Sequence, residues 1–460
     1  MRTWLLLGCA LAASAQYKSI HPQVKQIIDG VSEDRIAAIL KKLESFGTRH
    51  TSSAQDHPSR GIGAARRWIF SEFQSYSPRL EVSYDTHLLK AQGRIPKETD
   101  LHNVVAVLPG AVHKDQRIIV SAHYDSLAFP RRNPGEAPPA PGEDSRRPPL
   151  DPDADAPGVV DDASGVACVL ELARLMSRHT WDKTLVFIAF AGEENGLLGS
   201  SLYAARAKKE AHRIEAVLNN DIIGSDTAGN GRTESSRVNV FSEDPQDSAS
   251  RQLARYIKEI GERYVPSVKV DLVFRADRFG RGGDHTPFNQ EGFAGVRFST
   301  PSENFANQHT LTDTFENASV PYTARVVRVN AAAAAALALA PKAPEVWEER
   351  EVQGRKLPPQ LMLGRGRSRY DAQLRWRNPA PEPDLLGYAV VLRSTTAPYW
   401  EREIFVGNVT EYTLPDVNID EVVFGVKAID KDGAESLVTA YVPAARPRAR
   451  IELRNGGSDQ

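Results

Sequence analysis

Apolar residues recur at helical spacing near the start of the chain. Ile36, Ile39, Leu40 and Leu43 share one face between Glu33 and Phe46, with Ser32 placed to cap the start and Gly47 to end it. Ala64 to Tyr76 repeats that spacing. Leu80 to Leu88 then predicts a strand, and Asn103 to Leu108 and Arg117 to Ser121 are short β-branched runs between turn residues. Thr184 to Phe190 is apolar throughout, as a strand buried on both faces would be. Ile214 to Leu218 and Gly295 to Ser299 are further strands. Helices are expected from Asp161-Asp162 to about His179, from Leu197 to Ala211, from Gln246 to Tyr264 and from Ser319 to Ala340. The last is rich in alanine, but Arg325, Arg328 and Asn330 interrupt it, so it is not a transmembrane segment. Alternating strands and helices predict an α/β fold, a mainly parallel sheet flanked by helices.

Two stretches break this rhythm. Ser126 to Pro157 holds proline pairs and scattered charges with almost no apolar period, and reads as a long inserted loop. Pro341 to Pro344 reads as a linker. Beyond it, Tyr370 to Trp376, Gly387 to Arg393, Glu403 to Val406, Tyr412 to Leu414, Val422 to Ile429 and Ser436 to Tyr441 predict short strands separated by turns. That is the pattern of a small all-β sandwich. The expected domains are therefore 16–342 and 345–444, with 445–460 as a disordered tail.

At 460 residues, 41% hydrophobic and 25% charged, the chain is long enough for two such units. Its net charge of −2, with no long basic run, argues against a nucleic-acid partner. Arg2, the apolar run Leu5 to Ala13 and the small residues Ala13-Ser14-Ala15 predict a signal peptide over 1–15 and export to a periplasmic or extracellular compartment. Lipoprotein processing at Cys9 is the alternative. With the signal peptide removed, Cys168 lacks an intramolecular partner, and it is expected inside its helix. Glu171, in the same helix, is expected on a solvated face.

The polar residues fall at strand ends. His123-Tyr124-Asp125, Glu193-Glu194 and Asn219-Asn220-Asp221 each follow a predicted strand, and ligands of open α/β sheets bind at that edge. Between them lies Pro157-Gly158-Val159-Val160-Asp161-Asp162-Ala163-Ser164-Gly165. Adjacent aspartates repel unless a cation holds them. The same run is also an ordinary helix start, where capping and the helix dipole favour acids. His123, Asp161, Glu194, Asp221 and His309 together offer only imidazole and carboxylate donors, a set zinc accepts with positions left open. Asp161 suits a bridge between two ions. Of the paired glutamates, one would bind metal while the other moves a proton.

These motifs, in this order, resemble the zinc aminopeptidase family that also contains glutamate carboxypeptidases and glutaminyl cyclases, over roughly residues 30 to 340. The resemblance implies two zinc ions, one held by His123, Asp161 and Asp221, the other by Asp161, Glu194 and His309. It implies that Glu193 is the general base, that Asp125 orients His123, and that Asp313 does the same for His309. Some relatives stabilise the oxyanion with a tyrosine near the site. None lies in Arg278 to His285, where Asp284-His285 resembles a family motif and His285 is the alternative donor. Residues 345–444 resemble a fibronectin type III domain, with Trp376 as the early core tryptophan and Phe424 where a tyrosine is common. The implied activity is that of an exopeptidase on peptide substrates, most directly an aminopeptidase. A carboxypeptidase, a glutaminyl cyclase, or a binding protein whose sandwich engages a polymer or protein surface are the other readings. The inserted loop, starting and ending at two metal motifs, is expected to border the substrate cleft.

Overall fold

Side chains alternate across the central strands, and that alternation creates two cores. The computed structural model describes residue 18 and residues 20–129, 151–275 and 282–442. The expected signal peptide with Cys9, the tail at 445–460 and residues 130–150 of the inserted loop lie outside the described residues. Helices α1 (Pro22–Asp29), α2 (Glu33–Glu44) and α3 (Gly61–Tyr76) come first. Ser32 Oγ accepts from the Arg35 amide, the cap its position predicted. There follow β1 (Glu81–Leu89), β2 (Thr99–Leu108), β3 (His113–His123), a short kinked turn (Val159–Ala163), α4 (Ser164–Met176), β4 (Lys183–Phe190), α5 (Leu198–Lys209) and β5 (Arg213–Asn220). Next are β6 (Arg237–Ser242), α6 (Ala249–Tyr264), β7 (Lys269–Val273), α7 (His285–Gln290), β8 (Gly295–Ser299) and α8 (Val320–Leu339).

The eight strands form one sheet in the order β1-β2-β4-β3-β5-β8-β6-β7. The pairings β4·β3, β3·β5, β5·β8 and β6·β7 are parallel. Those of β1 with β2, β2 with β4 and β6 with β8 are antiparallel. The sheet is therefore mixed, with a parallel centre. Leu185, Phe187 and Ala189 of β4 face the larger core under α1–α4, α6 and α8. Val186, Ile188 and Phe190 face the smaller one under α5 and α7. No residue of β4 reaches solvent, as its unbroken apolar run implied. The parallel centre also brings the ends of β3, β4 and β5 to one edge, with His123 opposite Phe190 and Ser121 opposite Asn219.

Glu171 departs from expectation. It is fully buried, because Arg174 binds it at 2.6 Å, Arg35 lies 3.5 Å away and the Ser32 amide donates at 2.9 Å. Two cations and an amide replace the water that an exposed position would have supplied. Cys168 is buried, as expected.

After α8 the chain becomes all-β. A ribbon of β9 (Trp347–Val352) and β10 (Arg355–Leu361) precedes two antiparallel sheets. One contains β11 (Leu363–Arg365), β12 (Ala372–Arg375) and β15 (Glu411–Leu414). The other contains β13 (Leu385–Ser394), β14 (Arg402–Gly407), β16 (Val422–Asp430) and β17 (Thr439–Ala440). They share a core in which Trp376 packs edge-on to Tyr388 at 5.5 Å. This unit is ion-paired to α6 and to the turn that precedes it. Buried Lys427 lies between Glu435, Glu403 at 2.9 Å and Glu259 at 3.4 Å, and Arg393 meets Asp247 at 2.6 Å. Among the described residues no helix is long and apolar enough to cross a membrane.

Candidate metal centre

Six side chains converge at the shared strand edge. His123 ends β3, Asp221 follows β5, and Glu193 and Glu194 lie in the turn between β4 and α5. Asp161 comes from the kinked turn before α4, where its own backbone is extended rather than helical, and His309 from the segment between β8 and α8. Asp161 is central. Its Oδ1 is 3.1 Å from His123 Nε2 and its Oδ2 is 3.1 Å from His309 Nε2. His123 Nε2 is also 3.7 Å from Asp221 Oδ1, and His309 Nε2 is 2.8 Å from Glu194 Oε1. Ligand atoms of His123, Asp161 and Glu194 lie within 4.8 Å of one another, as do those of His123, Glu193 and Asp221. Yet His123 Nε2 and Glu194 Oε1 are buried without a hydrogen bond. Crowded donor atoms that do not bond one another fit cations held between them. Zinc suits this nitrogen and oxygen set.

The backbone around these residues is built for that convergence. Asp162, the second of the adjacent aspartates, points inward. It accepts from the amides of Gly165 at 2.9 Å, His123 at 3.3 Å and Ile222 at 3.3 Å, tying α4 to the ends of β3 and β5. A Cβ on Gly165 would stand 2.4 Å from Asp162 Oδ2 and 2.5 Å from the Asn220 carbonyl, so only glycine fits. The Asp161–Asp162 peptide bond is cis. Asp313 accepts from the amides of Val160 at 2.8 Å and Asp161 at 3.1 Å. It therefore orients Asp161 through the backbone, and among the described residues it makes no contact with His309 at bonding distance. His309 is held elsewhere, by the Phe129 amide on its carbonyl at 2.9 Å and the Phe129 ring edge-on at 5.8 Å. Asp125 divides its contacts. Its backbone carbonyl lies 3.1 Å from His123 Nδ1, and its carboxylate accepts from the amides of Glu193 and Glu194, both at 3.2 Å.

The electrostatics are those of carboxylates in short supply of positive charge. Burial, reinforced by Asp221, Glu194 and Asp284 and opposed by His123, raises Glu193 well above the usual range. Burial also raises Glu194, against His309. Asp161 goes the other way: burial would lift it, but His123 and His309 hold it well below. Burial pushes Asp313 to about 7 despite the two amides it accepts. Asp284 is likewise at about 7, pushed by burial against the pull of His123, with Asp125 and Asp221 adding to the rise. Asp284 thus lies within electrostatic reach of the site. His285 is buried at the start of α7, with Nε2 3.7 Å from Glu243.

Three contributors escaped sequence reasoning. Arg297 of β8 is buried with Nε 3.1 Å from Asp221 Oδ2. A lone arginine inside the apolar strand Gly295 to Ser299 was the available signal. Gln308, the neighbour of His309, donates to Asp161 Oδ2 at 3.0 Å. Arg49 is buried below the site and bonds only backbone carbonyls, which leave no trace in sequence. Beside Asp161 runs a crevice lined by Ser225, Glu303, Asn304, Asn307, Gln308 and Asp313 among others.

Comparison with known proteins adds to this geometry. A family model described as peptidase family M28 matches residues 103–334. A probable zinc metalloprotease of Pyricularia oryzae is 37% identical over 449 residues, covering 90% of this chain and 83% of that protein. One from Leptosphaeria maculans is 32% identical, covering 90% and 95%. Among solved structures, the LapA aminopeptidase of Legionella pneumophila superposes with a TM-score of 0.50 at 21% identity, covering 70% of this chain and 75% of that one. A glutaminyl cyclase of Macrostomum lignano gives 0.50 at 17%, covering 68% and 91%. At such identities the two structures show a shared fold.

Proposed function

This chain belongs to peptidase family M28 and is a zinc metallopeptidase, and from that premise we propose that it is a two-zinc aminopeptidase removing residues from the free amino ends of peptides. His123, Asp161 and Asp221 would hold one ion, and Asp161, Glu194 and His309 the other. The observation behind the two-ion reading is the pair of 3.1 Å approaches of Asp161, one oxygen to each histidine. When bound, zinc polarises a carbonyl and lowers the pKa of water to about 7. Glu193, its backbone fixed by Asp125, would take the proton from the attacking water and deliver it to the leaving amine.

The amino-terminal direction is supported by Glu303, a carboxylate outside the metal-ligand set that lines the crevice beside Asp161. It would attract a substrate ammonium and repel a terminal carboxylate. The test compares one peptide in three forms, with a free amine, an acetylated amine and an amidated carboxyl end. The free and amidated forms should be cleaved from the amino end and the acetylated form spared. Cleavage of the acetylated form with loss of the amidated one would make the protein a carboxypeptidase.

A further inference from the structure

Arg49 is 1% exposed, yet among the described residues its side chain meets backbone carbonyls and no carboxylate at bonding distance. Its Nε donates to the Tyr124 carbonyl at 2.8 Å. Nη1 donates to the carbonyls of Leu43 at 3.1 Å and Pro157 at 2.7 Å, and Nη2 to that of Gly158 at 2.7 Å. Tyr124 directly follows His123, and Gly158 lies just before Asp161. The contact continues along the backbone. The Arg49 amide donates to Ser126 Oγ at 3.1 Å, the Ser126 amide returns to the Arg49 carbonyl at 3.3 Å, and Ser126 Oγ donates to the Ala156 carbonyl at 2.7 Å. Gly158 has a φ of +52°, and a Cβ there would meet Ser126 Cβ at 2.5 Å and Arg49 Nη2 at 2.9 Å. The chain that leaves His123 and the chain that arrives at Asp161 are thus fastened together at their bases.

We infer that Arg49 is a positioning residue that sets the separation of His123 and Asp161, independently of the long insertion between them. The inference rests on the metal reading of those two side chains. A guanidinium is the group this task requires. It offers planar donors in a fixed fork, whereas an ammonium on a flexible stem cannot span carbonyls from three segments. Its charge, buried near Asp125, Asp161, Asp162 and Asp313, also offsets the carboxylates that crowd the site.

The experiment uses full-length protein stripped of metal and titrated with zinc by calorimetry, beside thermal unfolding, kcat and KM. The matched control is Arg393→Lys, another buried arginine that bonds backbone carbonyls, in the β-unit and remote from the site. Arg49→Lys should weaken zinc binding about 10–100-fold, the usual effect of losing an outer support of a metal ligand. It should lower kcat more than it raises KM. Arg393→Lys should lower the unfolding temperature and leave zinc affinity unchanged. If Arg49→Lys does not fold, Ser126→Ala, which cuts the same tie at one atom, should still weaken zinc binding measurably. Wild-type zinc affinity in a folded Arg49→Lys, or in Ser126→Ala, would overturn the inference. A wild-type protein that takes up no zinc would overturn the metal reading and this inference with it, whereas normal uptake unaffected by the variants would overturn the inference alone.

Discussion

Glu193 and Glu194 are adjacent in sequence but face different partners. Glu194 Oε1 lies 2.8 Å from His309, and Glu193 stands with His123 and Asp221. If Glu193 moves the proton, Glu193→Gln should cost about 10²–10⁴-fold in kcat and leave both ions in place. Metal analysis beside steady-state kinetics checks this, and loss of an ion would make Glu193 a ligand. Gly165→Ala should be worse for the fold than for the chemistry, since the added carbon would collide with Asp162 and the Asn220 carbonyl. A large drop in unfolding temperature with loss of bound zinc is expected. At this scale the donors could be read from sequence, because histidines and acids directly after apolar strands stand out. The choice of Asp161 over Asp162 came with the resemblance, since the local backbone path decides which of the two faces the site. The roles of Asp313 and Arg49 could not be read, since their partners are backbone amides and carbonyls that any sequence supplies.

The elements were legible in proportion to their burial. β4 and α8 are buried along most of their length and were found nearly to the residue. β6, β7 and the β9–β10 ribbon were missed. They are short or exposed, and β9 reads Trp-Glu-Glu-Arg-Glu-Val with no apolar alternation. The inserted loop is placed by its ends. Ser126 and Ala156 are joined through a hydrogen bond beside the site. Deleting Pro130 to Pro149 should therefore leave unfolding temperature and metal content nearly unchanged while shifting KM or the length of peptide accepted. Unaltered kinetics on short and long peptides would show that the insertion plays no part in substrate access.

Across the whole molecule, the β-unit is fastened to α6 by charge. Burial would raise Glu259, but Lys427, Arg263 and Lys18 hold it at about 2, below its ordinary 4.5. A carboxyl lowered on folding stabilises above its unfolded value, and that contribution disappears as pH falls from 4.5 towards 2. Glu259→Gln should lower the unfolding temperature near neutral pH, and the gap from wild type should close over that acid window. A gap that stays constant with pH would show that the pairing adds no stability. The central claim concerns Asp161 and is open to direct observation. Anomalous scattering from zinc-loaded crystals at the zinc edge should show two peaks, one on each side of Asp161, each about 2.0–2.2 Å from a carboxylate oxygen or histidine nitrogen of its set. A single peak under saturating zinc, or two peaks of which Asp161 touches only one, would contradict the account.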